Sequence, residues 1–400
     1  MLVEGSPAIA VATARWPIGS TTRSIIRIPT HCDCGGEVED TGETQSTIVQ
    51  DIPPVQVENT RHVGHIGKCK RCGRRIVSKL PGMSSAGDAS AQVQLGPNAA
   101  AMALELRFEH HVPVRGISRL LGGWFGLSVS AGGLCGLFAQ LADYTAPAYG
   151  EVLAHVRSSA VVGLDETGLR QDGVGAWVWI DQTDTASLFR VELSRGAWMA
   201  DEILGSGFMG VVCSDFYGAY TRRGDLQHAY CGAHNIREAK KIAEVDPTPL
   251  TVRFQLRLRK LYEVGVGVQS SQDPEVQDSV VRRLKLLTHD RRFQAHPDLA
   301  RLQNRFDEHF DGIVYLVSHP DVPATNNRTE RDVRPVAADR KVTVGTRSER
   351  GSKVLAHWMT VTQTLRKNGI ELRGWIRQAF EARLRATSPP SVFAQPQVEA

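Results

Sequence analysis

Two stretches decide the fold: Val161-Val162-Gly163-Leu164-Asp165-Glu166-Thr167 and, fifty residues on, Val211-Val212-Cys213-Ser214-Asp215. Each is a short apolar run that ends in an aspartate, the pattern of a buried strand. An acid at the end of a buried strand is held rigidly at the rim of a sheet, where ligands bind. If the two strands are neighbours, Asp165 and Asp215 lie side by side. Paired carboxylates repel and raise one another's pKa unless a cation sits between them. Magnesium suits that place, because it takes hard oxygen ligands. Taken singly, each aspartate reads as a turn or a helix cap; the pairing is what points to metal. Glu166 follows Asp165 directly, and strand alternation turns it to the opposite face, in a supporting role.

Working outward, 160–164, 176–180 and 187–193 read as a three-strand antiparallel meander, with Gly173, Gly175 and Asp184 between the runs. A helix over 197–204, strands over 210–213 and 229–231 and a helix over 233–244 complete a mixed α/β sheet. Residues 246–318 show helical spacing and many charges, and read as a helical insertion. Upstream, 99–108 is helical, 113–121 is a second helix broken by Gly122, Gly123 and Gly126, and Ser128 or Ser130 caps a third that reaches Asp143. That outline within 98–156 is helix-turn-helix-like; its plainer reading is two packed core helices. Residues 26–81 hold the close cysteine pairs with short β-rich stretches at 47–49 and 55–57; 82–97 reads as a linker. Residues 1–25 stay unassigned, and the proline-bearing tail 388–400 is expected to be disordered.

The 400 residues carry 47 Lys+Arg against 43 Asp+Glu, a formal net charge of +4. With 42% hydrophobic and 22% charged residues, disordered and collagen-like chains are excluded. No apolar run reaches the roughly 20 residues of a membrane span. The N-terminus shows no signal-peptide pattern, so the expected location is cytoplasmic and nucleoid-associated. Seven cysteines, four of them in two close pairs, read as metal ligands before disulfides.

A third acid would close a two-metal site, and 325–335 offers Glu330. Asn327 with Glu330 also fits a capping box, and Glu330 with Arg334 an i,i+4 ion pair. Neither accounts for the eight basic residues between 328 and 353. Basic side chains around an acidic metal site suit a phosphodiester backbone.

Asp165-Glu166-Thr167, Ser214-Asp215, Cys231 and His234 in Cys-Gly-Ala-His, and Asn326-Asn327-Arg328-Thr329-Glu330-Arg331 before Arg334-Pro335 appear in that order. Together they resemble the bacterial insertion-sequence transposases of the IS sixty-six type, in the DDE superfamily. The resemblance runs from about residue 31 to about 375. It implies an RNase H-like core over 157–245 and 319–387, the second part including C-terminal helices, interrupted by the insertion at 246–318. It implies a metal triad of Asp165, Asp215 and Glu330, with Mg2+ or Mn2+. The implied reaction is two-metal cleavage of element ends, followed by joining of the 3′-hydroxyl to target DNA. Arg331, Arg334 and Lys341 are candidate phosphate contacts, and Cys231 and His234 support the rim. Implied partners are terminal-repeat and target DNA, further copies of the chain on DNA, and accessory proteins of the same element.

Cys69-Lys70-Arg71-Cys72 is one half of a zinc-ribbon-like segment, and His31-Cys32-Asp33-Cys34-Gly35-Gly36 the other. The related transposases carry Cys-x-x-Cys before two glycines, which puts His31 at the first position; Cys32 is its neighbour. Zinc is therefore assigned to Cys34, Cys69, Cys72 and either His31 or Cys32. Seven basic residues and no acid lie between 61 and 80, with Arg71, Arg74 and Arg75 as candidate DNA contacts. The alternative is a catalytically inactive DNA-binding protein derived from a transposase. A glycoside hydrolase using paired carboxylates has no need of the basic clusters or cysteine knuckles.

Overall fold

The computed structural model describes residues 25–45, 47, 49, 52, 55–77, 94–222, 224–271 and 273–393. The chain falls into two units, 1–54 and 55–400. In the first, the backbone turns tightly at the cysteine pair: Gly35 N–H donates to the Cys32 carbonyl at 2.8 Å, and Cys32 N–H to that of Gly36 at 2.9 Å. Neither 47–49 nor 55–57 forms a strand among the described residues. Val49 and Val55 are exposed, and β propensity without a partner strand builds no ladder.

In the second unit, strands β1 (Ile66–Lys68) and β2 (Arg75–Val77) pair antiparallel and flank Cys69-Lys70-Arg71-Cys72. Cys69 N–H donates to the Arg74 carbonyl at 2.8 Å and closes the knuckle. Residues 82–93 of the expected linker lie outside the described residues, as does Lys79; 94–96 lead into the helix that begins at Pro97.

Four helices follow: α1 (Pro97–Phe108), α2 (Val114–Phe125), α3 (Ala131–Tyr144) and α4 (Ala146–Ser158). α2 runs straight through Gly122 and Gly123, where a break was expected. It stops at Gly126, whose left-handed backbone lets its N–H reach the Gly122 carbonyl at 3.0 Å. Ser130, not Ser128, caps α3 by accepting from Gly133 N–H at 3.0 Å. The outer side of α3 carries Gly132, Gly133, Cys135 and Gln140, and no basic residue. Leu134, Leu137, Phe138 and Leu141 on its other side are buried in the main core.

The main sheet begins with the long strand β3 (Val161–Gln171), turned by Asp172-Gly173 into β4 (Val174–Gln182), then β5 (Ser187–Glu192). Both turn residues have positive φ, 51° and 81°, the geometry of a two-residue hairpin. Helix α5 (Trp198–Leu204) leads to β6 (Val211–Ser214), α6 (Gly218–Thr221), β7 (Gln227–Tyr230) and α7 (Gly232–Val245). The spatial order is β5-β4-β3-β6-β7, with β3, β4 and β5 antiparallel and β6 and β7 parallel to β3. It is a mixed α/β sheet.

The rest is helical: α8 (Pro249–Ser271), α9 (Pro274–Thr288), α10 (Pro297–Glu308), α11 (Phe310–Ser318), α12 (Asn327–Thr343), α13 (Glu349–Lys367) and α14 (Leu372–Leu384). α7 to α11 share a core of their own around Phe254, Leu258, Leu284 and Phe306. α13 covers the edge of the sheet: Thr360 Oγ1 accepts from Phe189 N–H at 2.9 Å, and Thr364 Oγ1 from Ser187 N–H at 3.2 Å. The first residues of the expected disordered tail are docked instead. Val392 is fully buried, Trp375 donates to the Ser391 carbonyl at 3.1 Å, and Ser391 donates to Glu151.

Candidate active site

Asp165 does not end its strand, as its apolar run suggested; β3 continues six residues beyond it, paired with β4 and, at its last residue, bridged to Thr346. What ends there is the parallel ladder. Gly163 is in register with Cys213, and β6 stops at Ser214. Two residues further along each strand come Asp165 and Asp215, adjacent where the two strands part. Asp215 is fixed by its own turn, its Oδ1 accepting from Tyr217 N–H at 2.9 Å. Burial pushes the Asp165 carboxyl up to about 7; the Glu166 N–H opposes this, while the charges of Glu166 and Asp215 add to it.

Glu330 arrives on the first turn of α12. The helix is docked by its N-cap, Asn326. The Asn326 side chain donates to the Leu164 carbonyl at 2.9 Å, and its backbone N–H to Cys231 Sγ at 3.1 Å. So Asn326 joins the residue before Asp165 to the residue that opens α7. Asn327, the expected cap, is exposed within the helix, and its capping box with Glu330 does not form. The expected ion pair of Glu330 with Arg334 is absent among the described residues. Glu330 Oε1 lies instead 3.8 Å from His234 Nε2 and 3.6 Å from Arg237, buried and without a hydrogen bond.

Cys231 and His234 act on each other across the first turn of α7. Burial raises the Cys231 thiol, but the His234 side chain and the Asn326 N–H outweigh it and leave it below its usual range. His234 is held above its usual range, first by the Cys231 sulfur, against burial, with Asp215 adding its charge. Glu166 is placed on the other face and locked there. Arg195 Nε donates to it at 3.0 Å and the Tyr220 hydroxyl donates to its second oxygen. The Arg195 guanidinium is stacked between Tyr217 and Trp177, 3.9 Å and 4.4 Å from their ring centres.

An open cleft of about 400 Å³ leads away from Asp215, lined by His234, Arg237, Lys241 and Arg305 among others. Arg237 and Lys241 were not singled out from sequence. Their signal is the spacing from His234, i+3 and i+7, which puts all three on one face of α7. Of the basic residues on and after α12, Arg328, Arg350 and Lys353 are tied to Asp184, Asp143 and Glu349, and Arg340 to the Gly168 carbonyl. Arg331, Arg334 and Lys341 are exposed with no ion pair among the described residues. The i+4 and i+11 spacings put Arg334 and Lys341 on the side of the helix that carries Glu330, and Arg331 lies about 100° round from it; all three are clear of the buried stripe of Thr329, Asp332, Val336 and Asp339.

Arg71, Arg74 and Arg75 are exposed on the β1–β2 hairpin. Backbone N–H groups hold the knuckle thiols below their usual range, Cys34 acting on Cys32, and Cys72 and Arg71 on Cys69. All seven cysteines are free.

Glu105, Glu109 and His110, at the end of α1, are the one group of three among the described residues whose ligand atoms all fall within 4.8 Å of one another. Arg373 already pairs with Glu105 there. The three acids near the sheet are spread more widely. The oxygen donors, the unbonded Glu330 Oε1 and the raised Asp165 fit hard divalent cations.

The sequence profile described as Transposase IS66 family matches residues 92–354. The chain belongs to that family of transposases, whose substrate is DNA. It is also similar to two proteins of Sinorhizobium fredii, uncharacterized proteins y4jD and y4hP. Each is 22% identical, over 87% and 88% of this chain and 73% and 70% of their own length. A third protein of that bacterium, uncharacterized protein y4jO, is 27% identical over 45% of the chain and 56% of its own length. No helix among the described residues is long and apolar enough to cross a membrane.

Proposed function

We propose that this transposase cuts the ends of its element and joins the freed 3′-hydroxyls to target DNA at Asp165, Asp215 and Glu330. The observation that carries this is the meeting of Asp165 and Asp215, where the parallel pairing of β3 with β6 ends, with a helix docked by Asn326 onto β3. The strand order, an antiparallel meander extended by two parallel strands, supports an RNase H-like core over 157–245 and 319–387, with 246–318 inserted.

The three carboxylates would hold two divalent cations, Mg2+ or Mn2+, which when bound activate the attacking oxygen and stabilise the leaving one. The chain's own residues do the rest. Asn326 and Gly163 set the distance of α12 from β3; Glu166, clamped by Arg195 and Tyr220, keeps the Asp165 backbone from shifting. Arg237 and Lys241 line the cleft and hold phosphates, as do Arg331, Arg334 and Lys341 along α12. Zinc ligands in this reading are Cys34, Cys69, Cys72 and either His31 or Cys32, on their sequence spacing and soft donors. Arg71, Arg74 and Arg75 on the second knuckle's hairpin meet DNA. Work on two element ends calls for more than one copy on DNA, with accessory proteins of the element where it has them. The place of action is the nucleoid.

The test uses the inverted repeats that flank the gene as substrate. Wild type is expected to nick and join them only with Mg2+ or Mn2+. Asp215→Ala is expected to lose at least about 100-fold in rate, since metal-borne charge stabilisation supplies several kcal/mol. Equal rates for wild type and Asp215→Ala overturn the assignment.

A further inference from the structure

The insertion carries a charged feature that the catalytic reading does not use. On α8, Arg253, Arg257 and Lys260 recur at i, i+4 and i+7. They form one exposed row about 10 Å long. Like charges at i,i+4 destabilise a helix, so a solvated face usually alternates sign. This face does not.

Arg257 and Lys260 meet Arg283 of α9, and Arg292 just beyond it, around one open cleft of about 590 Å³. Asp290 is the single acid in its lining, and it is shared by Arg292 at 2.6 Å and Arg257 at 3.7 Å. Lys260 reaches Glu263 only at 3.9 Å, in solvent, where such a contact is worth little. Arg253, Arg282 and Arg283 make no ion pair among the described residues. Leu286 stands 71% exposed on the rim. The cleft therefore keeps a positive excess that its own acids do not neutralise.

We propose that this cleft between α8 and α9 binds the phosphate backbone of duplex DNA, at a segment separate from the one at the catalytic acids. The row on α8 matches about three base pairs of rise at roughly 3.4 Å each. α8 packs against α7, whose Arg237 and Lys241 line the catalytic cleft. The axes of the two helices thus lie about 8–10 Å apart. The inference rests on the transposase reading only in taking DNA as the polyanion.

The experiment uses the full chain with Asp215→Asn, so that binding is read without cutting. Anisotropy of a fluorescein-labelled random-sequence duplex gives Kd over a range of salt concentrations. Adding Arg257→Glu and Arg283→Glu is expected to weaken binding and to lower the log–log salt slope by about 2, one for each phosphate that the variant no longer neutralises. The charge-matched control, Arg377→Glu on α14 with Arg385→Glu at its C-cap, is expected to leave the slope unchanged. The milder Arg257→Gln with Arg283→Gln, checked by thermal melting, guards against a folding defect and is expected to lower the slope in the same direction. Equal slopes for the cleft variants and the parent overturn the proposal, as do equal reductions for cleft and control pairs. The cleft would then serve a protein, or nothing. Failure of the cleavage assay would leave this measurement untouched, so the two readings fail separately.

Discussion

Asp181 sits opposite Leu164 in the β3–β4 ladder, one residue from the partner of Asp165. It is buried, one of its oxygens has no hydrogen bond, and burial pushes its carboxyl up to about 8 against the pull of Arg190. The unfolded chain ionises this group near its ordinary value, about 3.9, while the folded chain keeps its proton to about 8. The folded state thus binds more protons between those values, and stability falls as pH rises through that window. Asp181→Asn removes this term. Its stability relative to wild type should grow by about 1.4 kcal/mol per pH unit at most from pH 4 upward, and level off above 8. Urea midpoints at pH 5 and pH 8 check this; a constant difference between the two proteins refutes it. Nothing in the local sequence around Asp181 separates it from an ordinary strand-end acid, because its state depends on what packs over it. The opposite placement of Glu166, by contrast, follows from alternation alone.

α12 is held at several points that the chain brings together from afar. Asp332 takes hydrogen bonds from Lys367 at 2.8 Å and Ser187 at 2.6 Å; Asp339 pairs with Arg107. At its start the helix lies against bare backbone. A Cβ at Gly163 would press well inside van der Waals contact on Thr329 Oγ1 and sit 3.1 Å from Asn326 Oδ1. Gly163→Ala must therefore push the helix start, and Glu330 with it, off β3. The expected cost is about 1–3 kcal/mol, the usual range for overpacking, seen as a lower melting temperature. Mg2+ should also raise that temperature less than in wild type. Thr329→Ala in the Gly163→Ala background removes the nearest atom and should recover part of both effects. No recovery would mean that Gly163 matters for some other reason. The Asn-Asn-Arg-x-Glu-Arg run was readable as a site, but the duty of its first asparagine was not. Its partners, Leu164 and Cys231, are 162 and 95 residues away.

Across the whole molecule, charge and edges are managed by distant segments. The edge strand β5 is closed by threonines of α13, and the chain beyond α14 returns to pack Val392 and Phe393 against the main core. Phe393 lies 4.6 Å from the His155 ring, and Glu151 accepts from Ser391 and from Val392 N–H. Burying a valine alone is worth about 1.5–3 kcal/mol. A chain cut after Thr387 should melt several degrees below one cut after Phe393, and the latter should match full length. Identical melting of both would show that the docked segment adds no stability. The proline content of this segment suggested disorder, since prolines block helix and sheet. They do not block an extended chain from burying two apolar side chains.

By itself the sequence determined most of the elements, the two aspartates that follow apolar runs, the cysteine knuckles and the basic clusters, because these are local: periodicity, turn chemistry and residue type are written within a few positions. It also carried the family motifs, in order. Only the tertiary structure decided that β3 runs on past Asp165, since that depends on β4 being there to pair with it. The same holds for Glu330 facing His234 and Arg237 rather than Arg334, and for which arginines of α12 stay free. Such choices are contests between partners far apart in the chain. They are settled by packing and by the cost of leaving buried polar groups unpaired, neither of which a local pattern contains.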